Sequence, residues 1–292
     1  MPNLIVLLTL PFIGIYNISI QAAMSSHLAK MKLSSETGII KGAEPIFVKG
    51  KNSKAILMIH GYIGSPTDYG RLPKILHALG YTISVPLLPG HGRDPREFSK
   101  VTSQELIDFV NAEYEKLEQT HDEVIVIGFS MGGALATLLA NQHAFKRLVL
   151  LAPYYEIAHQ WYYLLPAETY SNTFAPYVPY VYRPKLFKQI NDRTSIDKII
   201  DYDFISTKGS QAVIELGKEA RKSAKNIKAR TLVIHSWKDK ATDYKTSKEI
   251  AGELDSLEKF ISLEKSNHMI LWDYESEIVE NEILNFLEDH HE

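Results

Sequence analysis

The chain has 292 residues, of which 45% are hydrophobic and 23% charged, and its net charge at pH 7 is −3. This composition is typical of a globular protein that buries a substantial core, and it excludes a disordered or collagen-like chain. The near balance of charges leaves no large basic surface for nucleic acid. Because the chain contains no cysteine, disulfide bonds, thiol catalysis and cysteine-bound zinc are excluded as well.

An uncharged apolar run at residues 4–20 differs from the rest of the sequence. Its apolar character and the small residues at 22–25 favour an export signal or a membrane anchor, and hence association with a membrane. No Lys or Arg precedes the run, which is also at the short limit of the ~17–25 residues that a spanning helix needs. These features favour instead a true start at Met24 or Met31, or a helix that docks on the fold. We expect an exported or anchored protein under the first interpretation and a cytoplasmic one under the second.

Short β-branched runs alternate with amphipathic stretches over most of the remaining chain. The runs predict strands at residues 55–60, 82–88, 123–129, 147–152, 231–235 and 259–263. The amphipathic stretches predict helices at residues 67–79, 103–119, 131–143, 243–255 and 275–289. Because continuous apolar strands separated by helices form parallel sheets covered on both faces, we predict an α/β protein with a mostly parallel, doubly wound sheet. Ligands then bind at the carboxyl ends of the strands.

One stretch, residues 155–229, departs from this alternation. It shows no strong strand, and its part at 161–184 is rich in tyrosine and proline, which argues against a regular sheet there. We interpret it as an inserted helical cap that covers the core and forms a lid over an apolar pocket. The predicted core then comprises residues 41–154 and 230–292, and residues 1–40 form the apolar segment and a linker.

A nucleophile elbow is predicted between the strand at 123–129 and the helix that follows it. The sequence there contains the G-x-S-x-G pattern, with Ser130 between Gly128 and Gly132. A serine on such a turn is held in a strained backbone conformation with its hydroxyl exposed above the sheet. The glycines lack a Cβ, so the turn can be tight. The alternative is that Ser130 is an ordinary N-cap serine.

A nucleophilic serine needs a base, and the sequence offers eleven histidines. His268 lies between the last predicted strand and the last predicted helix, at the same edge of the sheet as Ser130. Most of the others lie in predicted loops, on helix surfaces or at the chain end. We interpret His235, within a predicted strand, as a packed core residue. His268 is therefore the predicted base.

The base needs an acid to orient it, and Asp239 lies four residues beyond the strand at 231–235. Asp243 competes for this role but more plausibly starts the next helix, and Glu264 is a third candidate. With Asp239, the chain order of the triad is serine, aspartate, histidine, which is the order expected for a nucleophile elbow in a doubly wound sheet.

Two backbone N–H groups are predicted to stabilise the anionic intermediate. The first is that of Met131, directly after the nucleophile, and the second is that of Tyr62, in the loop after the first predicted strand. His60 and Gly61 are expected to hold this loop in place. An ordinary strand-to-helix turn is the alternative interpretation of the loop.

Four segments of the chain resemble the α/β-hydrolase superfamily: ILMIHGYIGSPTDYGRLPKILHALGYTISVPLLPGHG, VIGFSMGGALATLLA, LVIHSWKD and SNHMILWD. Within it the chain looks most like bacterial carboxylesterases and monoacylglycerol lipases that carry a small helical cap. The resemblance covers residues 45–155 and 230–290. Three features depart from it, namely Ser236, where a glycine is common, the long insertion rich in tyrosine and proline, and the apolar N-terminus.

The resemblance implies a Ser/Asp/His esterase that needs no metal or organic cofactor and has an apolar acyl pocket beneath its cap. We therefore expect hydrolysis of a small-molecule ester or lipid with an apolar acyl chain, through an acyl-enzyme on Ser130. The same residues would serve an amide or peptide hydrolase or an acyltransferase. A non-catalytic binding protein of the same fold is the remaining alternative. The sequence predicts no oligomeric state.

Overall fold

A seven-stranded sheet forms the centre of the protein, and a separate two-stranded sheet lies in the inserted region. The structure, a computed structural model, describes residues 2–159, 169 and 175–288. The strands are β1 (Ile46–Val48), β2 (Lys54–Ile59), β3 (Thr82–Val85), β4 (Glu123–Phe129), β5 (Arg147–Leu151), β6 (Tyr180–Tyr182), β7 (Phe204–Ser206), β8 (Arg230–Ser236) and β9 (Leu257–Leu263). The central order is β1-β3-β2-β4-β5-β8-β9, with β1 antiparallel to β3 and the other pairs parallel.

Helices cover both faces of the central sheet. They are α2 (Leu72–Ala78), α3 (Ser103–Glu118), α4 (Met131–Gln142), α5 (Thr207–Ser223), α6 (Tyr244–Gly252) and α7 (Ser276–Glu288), whereas α1 (Pro2–Lys30) packs against the two-stranded sheet. Buried side chains of α3, α4, α5 and α6 form one core with the inner strands, and those of α2 and α7 form a second core on the other face. The predicted doubly wound sheet is confirmed, because its continuous apolar strands are buried on both faces.

The inserted region contains a small sheet that the sequence did not indicate. Strand β6 pairs antiparallel with β7, and Tyr182 lies opposite Phe204. The expectation that the tyrosine-rich and proline-rich part at 161–184 contains no regular sheet element is therefore wrong at Tyr180–Tyr182. Each strand has only three residues, too few to show a period of two, and Pro179 and Pro184 flank β6 rather than interrupt it. Part of the tyrosine-rich stretch lies outside the described residues.

Helix α1 packs against this small sheet. Ile20 and Met24 are buried against Tyr180 and Phe204, and the hydroxyl of Tyr16 donates to the carbonyl of Tyr180 at 3.1 Å. Within the described part of the chain, we find no helix that is both long enough and apolar enough to cross a membrane. Export and membrane association stay predictions.

Three strands of the seven-stranded sheet bring the predicted triad to one edge of that sheet. Strand β5 lies between β4 and β8, and β9 lies beside β8. All four strands are parallel, so their carboxyl ends lie at the same edge. Ser130 directly follows β4, Asp239 follows β8 by three residues, and His268 follows β9 by five. Residues far apart in sequence thus meet because their strands end at the same edge.

Candidate active site

Ser130 occupies a sharp turn between β4 and α4. Its φ of 55° and ψ of −120° lie in a region that residues other than glycine rarely adopt. Its side chain makes no capping hydrogen bond to α4, unlike that of an ordinary N-cap serine. A Cβ at Gly128 would overlap the carbonyl of Gly132, and a Cβ at Gly132 would overlap that of Ile59. The two glycines therefore permit the tight turn, in which the Ser130 hydroxyl makes no hydrogen bond to the N-terminus of α4.

The hydroxyl of Ser130 is hydrogen-bonded to the imidazole of His268, which is hydrogen-bonded to the carboxylate of Asp239. The distances are 2.9 Å from Ser130 Oγ to His268 Nε2 and 2.6 Å from His268 Nδ1 to Asp239 Oδ2. All three residues are buried. With Nδ1 donating to the carboxylate, Nε2 is free to accept the proton of the serine hydroxyl.

Asp239 is held as a carboxylate by several donors. Its Oδ1 accepts the backbone N–H groups of Ala241 at 2.7 Å and Thr242 at 3.0 Å, and its Oδ2 accepts the hydroxyl of Thr242 at 2.9 Å. Burial alone would raise the pKa of Asp239. The charge of His268 and hydrogen bonds from His268 and His235 outweigh it, so the pKa lies well below its usual range.

A second imidazole, that of His235, also contacts the carboxylate of Asp239. Its Nε2 lies 3.1 Å from Asp239 Oδ2, and the side chain is fully buried. Its Nδ1 has no hydrogen-bond partner in the described part of the chain, so the ring contacts Asp239 through Nε2 alone. His235 was predicted to be a packed core residue, and it is buried. Its contact with Asp239 was not predicted. Its position four residues before the predicted acid was the one signal available.

Two buried carboxylates hold the loop that carries His268. Glu275 accepts the backbone N–H groups of Lys265 and Ser266, both at 2.8 Å. Asp273 accepts that of Asn267 at 2.8 Å. Sequence reasoning found neither carboxylate, because both act through backbone groups of a loop with no regular pattern. Their effect is to fix the position of the imidazole.

Asp243, the competing acid, lies elsewhere. It is the N-cap residue of α6, and its carboxylate accepts the backbone N–H of Thr246 at 2.7 Å. Glu264 uses its backbone N–H to bind Glu275 at 3.0 Å, and its own side chain is exposed. Among the predicted acids, the structure brings Asp239 to His268.

Tyr62 and Met131 line the same cavity as Ser130. Met131 is the first residue of α4, where a helix leaves its N–H groups without intrahelical partners. The preceding loop is anchored by His60, whose Nε2 accepts the N–H of Leu88 at 3.0 Å and whose Nδ1 contacts the carbonyl of Gly61 at 2.9 Å. This arrangement agrees with the supporting role predicted for His60 and Gly61. The role of the two N–H groups in stabilising an oxyanion stays a prediction.

A buried carboxyl group, that of Asp68, lies behind this loop. Its Oδ2 accepts the N–H of Gly61 at 3.0 Å, and the side chain also lines the cavity. Burial raises the pKa of Asp68 to about 8. At neutral pH, then, the loop is held by a largely uncharged carboxyl group.

The cavity above Ser130 has a volume of about 650 Å³, which is ample for a small ester. Apolar side chains from the core and from the inserted region line much of it, among them Ile157, Val178, Ile205 and Val213. In the described ranges, no group of three or more His, Asp or Glu side chains is arranged to hold a metal ion. A mostly apolar cavity that contains a serine hydroxyl hydrogen-bonded to an imidazole suits acyl transfer.

Two bacterial relatives are similar to this chain over different lengths. A carboxylesterase from Bacillus subtilis (strain 168) is 23% identical over 247 residues, which are 84% of this chain and 96% of the relative. A thermostable monoacylglycerol lipase from Bacillus sp. (strain H-257) is 31% identical over 111 residues, 38% of this chain. That match spans 44% of the lipase, so the chain covers less than half the length of this relative.

Similarity to solved structures shows the fold of this chain. One from the work on the metagenome-derived lipolytic enzymes LipS and LipT has a TM-score of 0.77 at 23% identity, and the match covers 86% of this chain and all of that one. A soluble variant of monoglyceride lipase from Saccharomyces cerevisiae has a TM-score of 0.71 at 16% identity, covering 84% of this chain and 90% of that one. Both support the α/β-hydrolase fold that the four sequence segments predicted.

A family model described as serine aminopeptidase, S33, matches residues 50–275. The match includes the three residues of the predicted triad, Ser130, Asp239 and His268, and it extends over more than three quarters of the chain. The sheet order and the similar solved structures agree with this match in fold, and the chain belongs to this family of α/β-hydrolases.

Proposed function

We propose that the protein hydrolyses carboxylic esters with an apolar acyl chain through an acyl-enzyme on Ser130. The observation that carries this proposal is the hydrogen-bonded line from Ser130 through His268 to Asp239, which borders a largely apolar cavity. A serine activated in this way attacks carbonyl carbon, and an apolar cavity binds an acyl chain by removing it from water.

The geometry supports a two-step reaction. His268 Nε2 takes the proton of Ser130 as Oγ attacks the carbonyl carbon, and Asp239 stabilises the imidazolium that forms. The N–H groups of Tyr62 and Met131 donate to the oxyanion, each contributing about 2.7–4 kcal/mol to lowering the barrier if it resembles characterised donors. His268 then gives its proton to the leaving alcohol. Water activated by the same imidazole releases the acid and restores Ser130.

The proposal also assigns different roles to two parts of the chain. Residues 41–154 and 230–292 form the catalytic core, and residues 155–229 form a cap over the cavity. The contribution of Val178, Ile205 and Val213 to the lining supports this division. The substrate is a small-molecule ester or a lipid, as the names of the two Bacillus relatives also suggest.

The description of the matched family raises peptide hydrolysis as a second candidate. An aminopeptidase binds the free ammonium group of its substrate, and a carboxylate in the cavity is the natural partner for that group. The described part of the cavity wall contains two acidic side chains, Asp68 and Asp201. Asp68 binds the N–H of Gly61, and Asp201 pairs with Arg183 and Lys188. With both carboxyl groups already engaged, we favour ester hydrolysis.

The test is a set of initial rates with p-nitrophenyl esters from acetate to palmitate, 1-monoacylglycerols and aminoacyl p-nitroanilides. We expect a maximum among the esters and no comparable rate with the anilides. Ser130→Ala should lower kcat about 10³-fold or more while its unfolding midpoint stays close to that of the unmodified protein. Undiminished ester hydrolysis in Ser130→Ala, or faster cleavage of the anilides, would overturn the proposal.

A further inference from the structure

Three charged side chains form a cluster in the wall of the otherwise largely apolar cavity. Arg183 and Lys188 each pair with one carboxylate oxygen of Asp201, and all three residues line the cavity that contains Ser130. The exposed fractions of their side chains are 17%, 6% and 9%, in the order Arg183, Lys188 and Asp201. Because burying charges is costly, a charged cluster inside an acyl-binding cavity calls for an explanation. We call these three residues the charged subsite.

The charged subsite has more N–H donors than carboxylate acceptors, and one of its acceptors, Asp201 Oδ1, forms an ion pair with Lys188 Nζ but no hydrogen bond among the described residues. Arg183 Nη2 donates to Asp201 and to the carbonyl of Tyr202, but the buried Nε–H has no acceptor among the described residues. Lys188 Nζ carries three N–H groups. Their partners among the described residues are the carboxylate of Asp201 and the carbonyl of Ile199, which lies 3.5 Å from Nζ. An unpaired N–H on a buried guanidinium is unfavourable unless a ligand accepts it.

The charged subsite also carries a net positive charge at neutral pH. Two cations share the single carboxylate of Asp201. The other carboxyl group in the described cavity wall, that of Asp68, does not compensate, since its pKa is about 8 and it is mostly protonated at pH 7. The cavity therefore offers a positive charge with a free donor, which is the complement of an anion.

The position of the charged subsite indicates which part of the substrate it faces. The carbonyl of Gln189, next to Lys188, accepts the N–H of Met269 at 3.1 Å, so this segment lies against the loop of His268. In ester hydrolysis the base delivers a proton to the leaving alcohol, which must lie on the side of that loop. Apolar side chains such as Val213 remain for the acyl chain.

We infer that the charged subsite binds an anionic oxygen group, a carboxylate or a phosphate, on the alcohol part of the ester substrate. This inference rests on the proposed ester hydrolysis. The guanidinium of Arg183 supplies Nε–H, Lys188 supplies an ammonium donor, and Asp201 holds both cations in place. The preferred substrates are therefore monoacyl esters of a polyol phosphate or of a hydroxy acid, in preference to neutral glycerol esters.

The experiment compares the octanoyl monoesters of glycerol, glycerol 3-phosphate and glyceric acid, below their micelle concentrations. These three share the acyl chain and differ in the charge of the alcohol. We expect kcat/KM to be about tenfold higher or more for at least one anionic ester than for the neutral one, as one hydrogen bond to a charged group would give. The two anionic esters distinguish phosphate from carboxylate.

Variants then test the charged subsite through the ratio of kcat/KM for the preferred anionic ester to that for the neutral ester. Arg183→Gln should lower this ratio about tenfold, and Asp201→Asn should raise it, because the variant removes the competing anion. Lys185→Gln is the matched control, since Lys185 is an exposed lysine that pairs with Asp197 outside the cavity lining. Its ratio should stay within about twofold of that of the unmodified protein.

The outcomes separate this inference from the proposed function. A ratio near or below one for both anionic esters overturns the inference while ester hydrolysis stands, and so does a ratio that Arg183→Gln and Asp201→Asn leave unchanged. A purely structural cluster would lower the rates for charged and neutral esters in parallel. Absence of Ser130-dependent hydrolysis of every ester would instead overturn the proposed function.

Discussion

The carboxylate of Asp239 accepts hydrogen bonds from two imidazoles, and this distinguishes its surroundings from those of a simple triad. Oδ2 lies 2.6 Å from His268 Nδ1 and 3.1 Å from His235 Nε2. Each donor withdraws negative charge from the carboxylate. The strength with which Asp239 stabilises the imidazolium of His268 therefore depends on His235 as well.

His235 is expected to act as a positioning residue through Asp239. His235→Leu removes one donor, so the carboxylate keeps more charge and stabilises the imidazolium of His268 more strongly. The acid limb of the pH profile of kcat/KM should then move to higher pH. At the same time kcat should fall about tenfold, because the carboxylate also loses a contact that holds it in place against His268. His235→Gln keeps an N–H donor and should restore most of kcat and the original acid limb. If both variants lower kcat with no change in the profile, His235 has only a packing role.

Two matched aspartate variants test which residue is the acid of the triad. Asp239→Asn should lower kcat about 10³–10⁴-fold, because an amide neither fixes the tautomer of His268 nor stabilises its cation. Asp243→Asn should leave kcat within about twofold, since asparagine is as good an N-cap for α6 as aspartate. Steady-state kinetics on a short-chain ester measure both, and the reverse order of effects would exclude Asp239 as the acid.

The carboxyl group of Asp68 predicts a loss of activity in alkaline solution. It is protonated below its raised pKa of about 8 and becomes an anion as the pH rises through that value. The groups that face it are the N–H of Gly61 and the charges of Arg183 and Asp201. An added negative charge behind the loop of Tyr62 disfavours the oxyanion, so kcat should fall severalfold above pH 8. Asp68→Asn should remove this alkaline decline, and a decline that persists in the variant would rule out Asp68 as its source.

At the scale of elements, the close approach of helix α4 to strand β2 forms the elbow. A Cβ at Gly132 would overlap the backbone carbonyl of Ile59 at the end of β2. Gly132→Ala should therefore lower the free energy of unfolding by about 2 kcal/mol or more and reduce kcat by shifting Ser130. Gly252→Ala, at the exposed end of α6 with open space around it, is the control. Chemical denaturation should show it unchanged or up to about 1 kcal/mol more stable, and equal losses in both variants would contradict the argument.

The elements that could be predicted from sequence are those whose pattern is local. Strands β2, β4, β5 and β8 are continuous apolar runs, and each lies within about one residue of its predicted bounds. Strands β1, β6 and β7 have three residues each and depend on a partner strand for their existence. No periodicity can reveal elements so short.

The same distinction holds for the site. The elbow at Ser130 follows from glycine spacing between a strand and a helix, and the positions of Asp239 and His268 follow from strand ends. The contacts of His235, and those between the cap and the His268 loop, arise from tertiary packing. They join residues whose sequence neighbours carry no common pattern.

At the scale of the whole molecule, the N-terminal segment packs against the two-stranded sheet of the inserted region. Helix α1 contacts β6 through Tyr16, Ile20 and Met24, and His27 Nε2 lies 3.9 Å from Asp203 Oδ2, just before β7. A docked helix was one of the interpretations of this segment that the sequence left open. The structure has such a helix, and the question of export is a separate prediction.

The triad joins distant parts of the chain, since 138 positions separate Ser130 from His268. Ser130 is synthesised long before β9 and His268, so a nascent chain contains the predicted nucleophile without the predicted base. Any product that lacks β9 and the segment directly after it, whether from stalled translation or from proteolysis, lacks His268. Activity that depends on His268 therefore requires synthesis through this residue and correct pairing of β9 with β8.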